Sequence, residues 1–390
     1  MQSRRDAVRS IALGAAAIAG APAILRRRFR LFAGSPAEYS ARAIKLVGDT
    51  VVVDLLNQFR FADFRERPVR SRLWLQSPGS FTRADFEVYR SSGTRVFALG
   101  AGSTSYESAV KWAADWNGFI AGYSDWFLRV DDAADFARLA RDRNRVGVML
   151  TMQNADHFRT VDDVDAFLAL GQRVSQLTYN TGNLLGSGFL ADTDNGLSTY
   201  GAEVVKRMNA VGMAVDLSHS GDRTTLDGIA ASAKPVIFSH ASCRALLPGG
   251  LRAKTDEMIR AMARTGGVAG IAFLRFMLRV EEPVTIEHAL DHFDHVAKLV
   301  GVDHVGIGSD MDVLGNPNPM GVPEPTNQRN FDRYLLHRDR DSSITTRQLD
   351  HPKRVFDLTE GLIRRKYSDA DIRLILGGNW ARVLGAIWAA

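Results

Sequence analysis

The chain lacks several sequence features that identify common protein classes. Cys243 is the single cysteine among 390 residues, which excludes an internal disulfide and a cysteine-rich metal cluster. No GxGxxG motif follows the first apolar run, which argues against a dinucleotide-binding fold. There is also no internal repeat and no low-complexity tract. With 45% hydrophobic and 24% charged residues, the composition is that of a globular protein with a large core.

The excess of positive charge is confined to the N-terminal segment. The whole chain carries a net charge of +5, whereas residues 1–30 contain seven arginines and one aspartate, so the remainder carries −1. The folded body is therefore not basic, and we do not expect it to bind nucleic acid.

The same segment has the pattern of a twin-arginine export signal. The arginines at 4–5 precede a weakly apolar stretch at 11–25, which is shorter than the ~20 residues of a membrane-spanning helix. We expect residues 1–30 to direct export, so that the protein is periplasmic, or anchored to the membrane if this leader stays uncleaved. A frayed basic N-terminal helix is the alternative. Residues 19–21 and 21–23 are both candidate cleavage sites.

Eight short, continuously apolar runs predict strands buried on both faces of a parallel sheet. They are VVVDLL (51–56), TRVFALG (94–100), VGVMLTM (146–152), VSQLTYN (174–180), GMAVDLSH (212–219), PVIFSH (235–240), GVAGIAF (267–273) and HVGIGSD (304–310). Helical patterns separate the runs, and one of them, at 255–267, has Thr255 as its candidate N-cap. Eight strand-then-helix units predict an α/β fold of the closed (β/α)8 TIM-like type, with a doubly wound sheet as the alternative.

Three other segments have a distinct composition. Residues 313–350 are rich in Pro, Asn, Asp and Arg and predict a long, lid-like loop above the barrel mouth. Residues 101–127 hold three tryptophans and two tyrosines, which we interpret as helix packing rather than as a surface for substrate stacking. The patterns at 356–368 and 368–388 predict C-terminal helices.

Polar side chains stand at the ends of the predicted strands, which form the active face of a barrel. They are Asp54, Asn57, Gln58, Gln153, Asn154, Tyr179, Asn180, Asp216, His219, His240, Asp310 and Asp312. His219 and His240 each follow a serine at a strand end and are 21 residues apart, which is about one strand–helix unit. Neighbouring strands would direct both imidazoles into one mouth, where neutral imidazole is a good zinc ligand. The alternative is a pair of hydrogen-bonded histidines without metal.

Asp310 is a third polar strand end. Its carboxylate could bind a metal or transfer a proton. The alternative roles are a helix N-cap or a structural hydrogen bond, which Asp312 would serve equally well.

Four motifs, in this order, resemble the membrane (renal) dipeptidase family, a metallopeptidase family with an amidohydrolase-like barrel. They are GMAVDLSHSGDRT (212–224), KPVIFSHASCRAL (234–246), LVGVDHVGIGSDMD (299–312) and LGGNWARVL (376–384). The resemblance covers residues 44–390. It implies a small peptide-like substrate and two zinc ions in the barrel mouth. The family often forms homodimers, although no feature of the sequence demonstrates one.

Part of the family's functional set is retained. The resemblance implies that His219 and His240 bind one of the two zinc ions. It also implies that Arg252 holds the substrate carboxylate and that Asp310 transfers protons.

The remaining positions of the set are replaced. A histidine and an aspartate that bind the other ion fall on Leu56 and Gln58. The glutamate that bridges both ions falls on Gln153, and a substrate-contacting histidine falls on Tyr179. Leucine offers no lone pair, and neutral amides bind divalent ions more weakly than carboxylates do. We therefore expect no two-zinc site and one zinc ion at most, on the two histidines, with Asp310 as a candidate third ligand and Gln153 or water as the fourth.

Three functions follow from this pattern. The first is an exported amide or dipeptide hydrolase with one zinc ion. The second is a catalytically silent family member that grips a peptide-like ligand through Arg252, Tyr179 and Asn180. The third is a non-hydrolytic enzyme in which the two histidines carry out acid–base chemistry.

Overall fold

The computed structural model describes residues 27–31, 37–59, 70–102, 105–281, 283–315 and 346–389. Most of the predicted export signal (1–30) and most of the predicted lid (313–350) lie outside the described residues. Within the described ranges, no helix is both long enough and apolar enough to cross a membrane.

Eight parallel strands close into the barrel that the sequence predicts. In chain order they are β1 Val53–Asn57, β2 Val96–Ala101, β3 Val146–Met152, β4 Gln172–Gln176, β5 Ala214–Asp216, β6 Ile237–Ala241, β7 Val268–Ile271 and β8 Val305–Ile307. Each strand pairs with the next, and β8 pairs with β1 through Ile307 and Asp54, which closes the ring. The (β/α)8 prediction is confirmed, and the doubly wound alternative is wrong.

Several of the predicted runs extend past the hydrogen-bonded ladder. β4 ends at Gln176, β5 at Asp216 and β8 at Ile307, each three residues before the polar residue predicted at its end. Tyr179, His219 and Asp310 therefore lie in turns that follow the strands. Apolar patterning continues past each strand because the two residues directly after it are buried too, so the pattern does not reveal where strand pairing stops.

Two short pairings were not predicted. Phe127–Arg129 pairs in parallel with the first half of β3, in addition to the ring. Arg28–Phe29 pairs antiparallel with Tyr39–Ser40. Segments of two or three residues are too short to give a periodic signal.

Helices follow the strands along the chain, as in a (β/α)8 barrel. The α-helices are Ala41–Asp49, Arg70–Gln76, Arg83–Ser91, Tyr106–Gly122, Ala133–Arg141, Asp163–Ala169, Thr199–Val211, Asp222–Ala231, Asp256–Arg264, Arg275–Leu278, Ile286–Val300, Arg354–Arg364, Asp369–Arg373 and Asn379–Trp388. The predicted N-cap is confirmed, because the Thr255 side chain accepts a hydrogen bond from the Met258 N–H at 3.3 Å. Helix Asp256–Arg264 then ends before Gly266, whose φ is +84°.

The C-terminal helical pattern is interrupted by a close backbone approach. A Cβ atom on Gly377 would lie 2.1 Å from the Val51 carbonyl oxygen, so glycine lets the chain pass directly under β1. Just beyond, Trp380 is fully buried and its indole N–H donates to the Ile307 carbonyl at 3.0 Å. This contact ties the last helix to β8.

The aromatic segment at 101–127 packs as a helix, as interpreted from the sequence. Trp116, in helix Tyr106–Gly122, is 5% exposed and packs in a buried aromatic cluster. Trp126 stacks on Phe86, with ring centroids 5.3 Å apart and planes at 18°.

Two buried histidines serve as neutral hydrogen-bonding groups of the core. His292 accepts from the Cys243 N–H at 2.9 Å and hydrogen-bonds the Leu278 carbonyl at 3.0 Å. His157 hydrogen-bonds the Gln172 side chain at 3.0 Å. Burial lowers the pKa of each imidazole to about 4, so both are neutral at pH 7.

We expect stability to fall as the pH drops from about 6.5, the ordinary histidine value, towards 4. In that window the unfolded chain binds protons that the native histidines do not. The free energy of unfolding therefore falls by up to ~1.4 kcal/mol per pH unit for each histidine. Urea unfolding at pH 7, 6 and 5 measures this slope. His157→Phe should reduce the slope by about one histidine's share, and an unchanged slope would contradict a neutral His157 in the native state.

Candidate functional site

Two imidazoles meet at the C-terminal ends of β5 and β6. His219 follows β5, His240 lies in β6, and their Nε2 atoms are 2.9 Å apart. Both side chains are buried, with 4% and 0% of their surface exposed. Adjacent strands thus bring together two residues that are 21 positions apart in the sequence.

Each imidazole is oriented through its Nδ1 atom. Nδ1 of His219 lies 2.8 Å from the Asn180 side-chain oxygen, which can only accept, so this Nδ1 carries a proton. Nδ1 of His240 lies 2.9 Å from the Ser239 hydroxyl, which donates its own proton to Asp216 and is left to accept. Both Nε2 lone pairs then face each other. Two lone pairs at this distance need a cation between them, either a proton or a metal ion.

The surroundings of the pair disfavour its protonation. Burial lowers the pKa of both imidazoles well below the usual value, and the nearby guanidinium of Arg252 lowers the pKa of both further. Lys254 adds to this effect. The two histidines are therefore neutral at pH 7, which is the state in which imidazole binds metal ions.

Asp310 lies beside the histidine pair. Its Oδ2 atom is 4.0 Å from Nε2 of His240, and its Oδ1 atom accepts from the Gln58 side-chain amide at 2.5 Å. The backbone of Asp310 has a φ of +55°, a left-handed conformation that is uncommon for residues other than glycine. Its N–H donates to the Leu56 carbonyl at 2.9 Å, which fixes this turn against the end of β1.

Leu56 and Gln153 lie together against β2. A Cβ atom on Gly100 would be 2.8 Å from a Leu56 methyl group and 2.9 Å from the Gln153 side-chain oxygen. Both side chains are buried. Across the described ranges, no three His, Cys, Asp or Glu side chains are grouped closely enough to hold a metal ion.

Tyr179 and Arg252 contact the histidine pair directly. The Tyr179 ring stacks on His219 with centroids 4.3 Å apart and planes at 19°, and 38% of its surface is exposed. The buried Arg252 guanidinium donates to the carbonyl oxygens of Ser218 and His240, the latter at 2.9 Å. Its role in holding a substrate carboxylate stays a prediction.

A buried carboxylate beneath the pair was named from the sequence only as a strand end. Asp216 accepts from the Ser218 N–H at 2.9 Å, the Ser218 hydroxyl at 2.6 Å and the Ser239 N–H at 3.0 Å, besides the Ser239 hydroxyl. In the sequence, this network is indicated by the serine that precedes each histidine in DLSH and FSH, since both serine hydroxyls donate to Asp216. Asp54 has an equivalent role between β1 and β8, where it accepts from the Ser309 N–H and hydroxyl.

The chain is similar to known dipeptidases in sequence. The model of the membrane dipeptidase family (peptidase family M19) matches residues 114–344. Dipeptidase verJ of Clonostachys rogersoniana is 34% identical over 225 residues, which are 56% of this chain and 49% of that protein. The uncharacterized dipeptidase C965.12 of Schizosaccharomyces pombe is 32% identical over 212 residues, 53% of this chain and 50% of that one. The match thus spans about half the length of these relatives.

A solved structure extends the similarity to most of the fold. The crystal structure of an amidohydrolase from Pseudomonas aeruginosa has a TM-score of 0.73 and 27% identity, and the match covers 89% of this chain and 99% of that one. The matching family model covers more than half of the chain, and the closed barrel agrees with it. The chain therefore belongs to the membrane dipeptidase family.

Proposed function

We propose that this protein is an exported hydrolase that cleaves an amide bond in a small peptide-like molecule and uses one zinc ion at most. The observation that carries the proposal is the 2.9 Å approach of the Nε2 atoms of His219 and His240, with each Nδ1 atom already engaged. The dipeptidase names of the two relatives support the substrate class.

The histidine pair suits one zinc ion. In a tetrahedral site with Zn–N distances of about 2.0–2.1 Å, two nitrogen ligands lie roughly 3.3 Å apart, so the pair would have to open by only a few tenths of an ångström. Asp310, with Oδ2 at 4.0 Å from Nε2 of His240, is in reach as a third ligand after a small shift. Three protein ligands and a water form an ordinary catalytic zinc site.

The replaced positions do not suit a second zinc ion. Leu56 has no donor atom, and Gln153 offers only a neutral amide. Gln58 directs its N–H towards Asp310, so it presents a hydrogen where a ligand would present a lone pair. A second dication would therefore have no anionic ligand of its own among these three side chains.

The chemistry of the proposed hydrolase divides between the ion and the surrounding residues. A bound zinc ion supplies Lewis-acid activation of a water molecule and of the substrate carbonyl. Provided that it stays outside the ligand set of the ion, which water molecules would then complete, the Asp310 carboxylate would accept a proton from the attacking water and return it to the leaving amine. The positive charge of Arg252 would attract the substrate carboxylate, and the Tyr179 ring would border the entrance beside His219.

Export is the second part of the proposal. It rests on the paired arginines and the weakly apolar stretch of residues 1–30. The twin-arginine route carries folded proteins, so a metal could be inserted before export. The protein would then act in the periplasm, or on the membrane if the leader is retained.

A silent, ligand-binding family member is the second candidate. The contact that favours it is the 2.5 Å hydrogen bond from Gln58 to Asp310, because it occupies one oxygen of the single retained acid. In this candidate the site binds a peptide-like ligand through Tyr179, Asn180 and Arg252, without catalysis.

Metal content separates the two candidates. We expect protein purified without added zinc to hold no more than one equivalent by elemental analysis, and His219→Ala to lose it, because one of the two imidazole ligands is gone. His304→Ala, which removes a half-buried histidine bound to the Gly267 carbonyl, is the matched control and should keep the metal. Two equivalents would contradict the proposed site. No metal, with an unchanged melting temperature, would favour the silent candidate.

Dipeptide hydrolysis tests the role of Asp310. With one equivalent of zinc, the protein should hydrolyse alanyl-alanine, and Asp310→Asn should lower kcat by about 10²–10⁴-fold with a smaller change in KM, because the proton carrier is lost. Asp303→Asn, at an exposed position, should leave both constants unchanged. Equal rates for Asp310→Asn and the parent protein would rule out proton transfer by this carboxylate.

A further inference from the structure

We propose that Lys254 is a positioning residue which, together with Arg252, holds the backbone on both sides of His219 and His240 and so sets the distance between the two imidazoles. We call residues 252–254 the clamp. The inference rests on the proposed function of the histidine pair. It adds a residue that neither the sequence patterns nor the family resemblance singled out.

Arg252 provides one half of the clamp. Its guanidinium donates to the carbonyl oxygen of Ser218, the residue before His219, and to the carbonyl oxygen of His240 itself at 2.9 Å. One rigid, planar group thus joins the two chain segments that carry the histidines.

Lys254 provides the other half. Its side-chain nitrogen donates to the carbonyl oxygen of Ser220, the residue after His219, at 2.9 Å, and to the Thr225 hydroxyl at 3.0 Å. Its backbone N–H donates to the Ser242 carbonyl at 2.8 Å, two residues beyond His240. Together with Arg252 it binds four carbonyl groups, at positions 218, 220, 240 and 242.

Burying the Lys254 side chain carries a desolvation cost that a surface lysine does not have. It is 3% exposed, and within the described residues its side-chain nitrogen contacts a carbonyl oxygen and a hydroxyl oxygen rather than a carboxylate. Burial lowers its pKa well below the usual value, yet the charged and the neutral amine both have the two N–H donors that these contacts need. A buried lysine without a carboxylate partner is rare, so its hydrogen bonds account for its placement.

The clamp is itself fixed to the body of the protein. The Arg244 guanidinium donates to the Leu251 and Ala253 carbonyls and pairs with both carboxylate oxygens of Asp222, at the start of the helix that follows His219. The backbone N–H of Arg244 also donates to the backbone carbonyl of Lys254, at 2.9 Å. The clamp therefore cannot move independently of the segment after His219.

His219 needs such support because the sheet does not hold it. β5 has only three residues and ends at Asp216, so His219 lies in the following turn, whereas His240 lies within β6. In a formed metal site the ligand distances lie within about 0.2 Å of their ideal values, so the backbone that carries His219 must be held in place. Removing groups that orient metal ligands commonly lowers metal affinity about 10–100-fold.

The test compares Lys254→Met with Lys353→Met in the full-length protein. Lys353 is also buried and donates to a backbone carbonyl, that of Ser91, remote from the histidine pair, so its variant controls for the loss of a buried lysine. Cobalt(II) is the probe, and its visible absorption reports the geometry of the ligands. We expect Lys254→Met to lower cobalt affinity about 10–100-fold and to alter the spectrum. Lys353→Met should change neither, and Lys254→Arg should restore most of the affinity.

A second variant and a metal-free measurement keep the inference testable. Thr225→Val removes one partner of Lys254, together with the hydrogen bond of the Thr225 hydroxyl to the Ser220 carbonyl at 3.2 Å, but leaves the Lys254 amine in place. It should lower cobalt affinity by a smaller factor, even if Lys254→Met does not fold. In metal-free protein, hydrogen exchange of peptides covering 217–221 and 240–244 should quicken in Lys254→Met but not in Lys353→Met.

The outcomes distinguish the clamp from the proposed function. A parent protein that binds no cobalt would overturn the zinc proposal, and the exchange measurement would then decide on the clamp. Parent-like affinity and exchange in both Lys254→Met and Thr225→Val would overturn the clamp and leave the zinc proposal standing. Equal losses in Lys254→Met and Lys353→Met would also overturn it.

Discussion

Two neutral imidazoles whose Nε2 atoms face each other at 2.9 Å are the feature on which the rest of the site depends. Burial and the neighbouring cations disfavour a proton on either ring. The hydrogen bonds at Nδ1 nevertheless direct both lone pairs to one point. Holding this arrangement requires support from outside the pair, which the buried carboxylate of Asp216 and the clamp provide.

The barrel mouth has two chemically different halves. On the side of β5 and β6, charged groups, hydroxyl groups and imidazoles are linked by short hydrogen bonds. On the side of β1 and β2, Leu56 and Gln153 pack against Gly100, and Gln58 donates to the one retained acid, Asp310. The first half presents two imidazoles, whereas the second presents an aliphatic side chain and two amides beside the Asp310 carboxylate.

The sequence predicted the barrel and the residues of the histidine pair because both produce patterns among residues that are close together in the chain. Each strand is a continuous apolar run, and each histidine ends one. The supports of the pair could not be predicted in this way. Lys254 contacts Ser220 and Thr225, which are 34 and 29 positions away in the chain. A lysine just before the start of a helix would ordinarily be predicted to lie on the surface. Only the course of the loop after β6 shows that this lysine is buried.

The half of the site that contains His219 and His240 also stabilises the structure of the barrel mouth. The Ser239 hydroxyl joins His240 to Asp216, and Asp216 joins the ends of β5 and β6. Replacing either histidine would leave buried partners unsatisfied, at a cost of about 1–3 kcal/mol each. Leu56 and Gln153 carry no comparable network among their described contacts. The burial and hydrogen bonds of His219 and His240 therefore support the structure of the barrel mouth as well as any catalytic role. What distinguishes a metal-binding role is the protonation of both Nδ1 atoms, since a purely structural pair would need a donor at one Nε2.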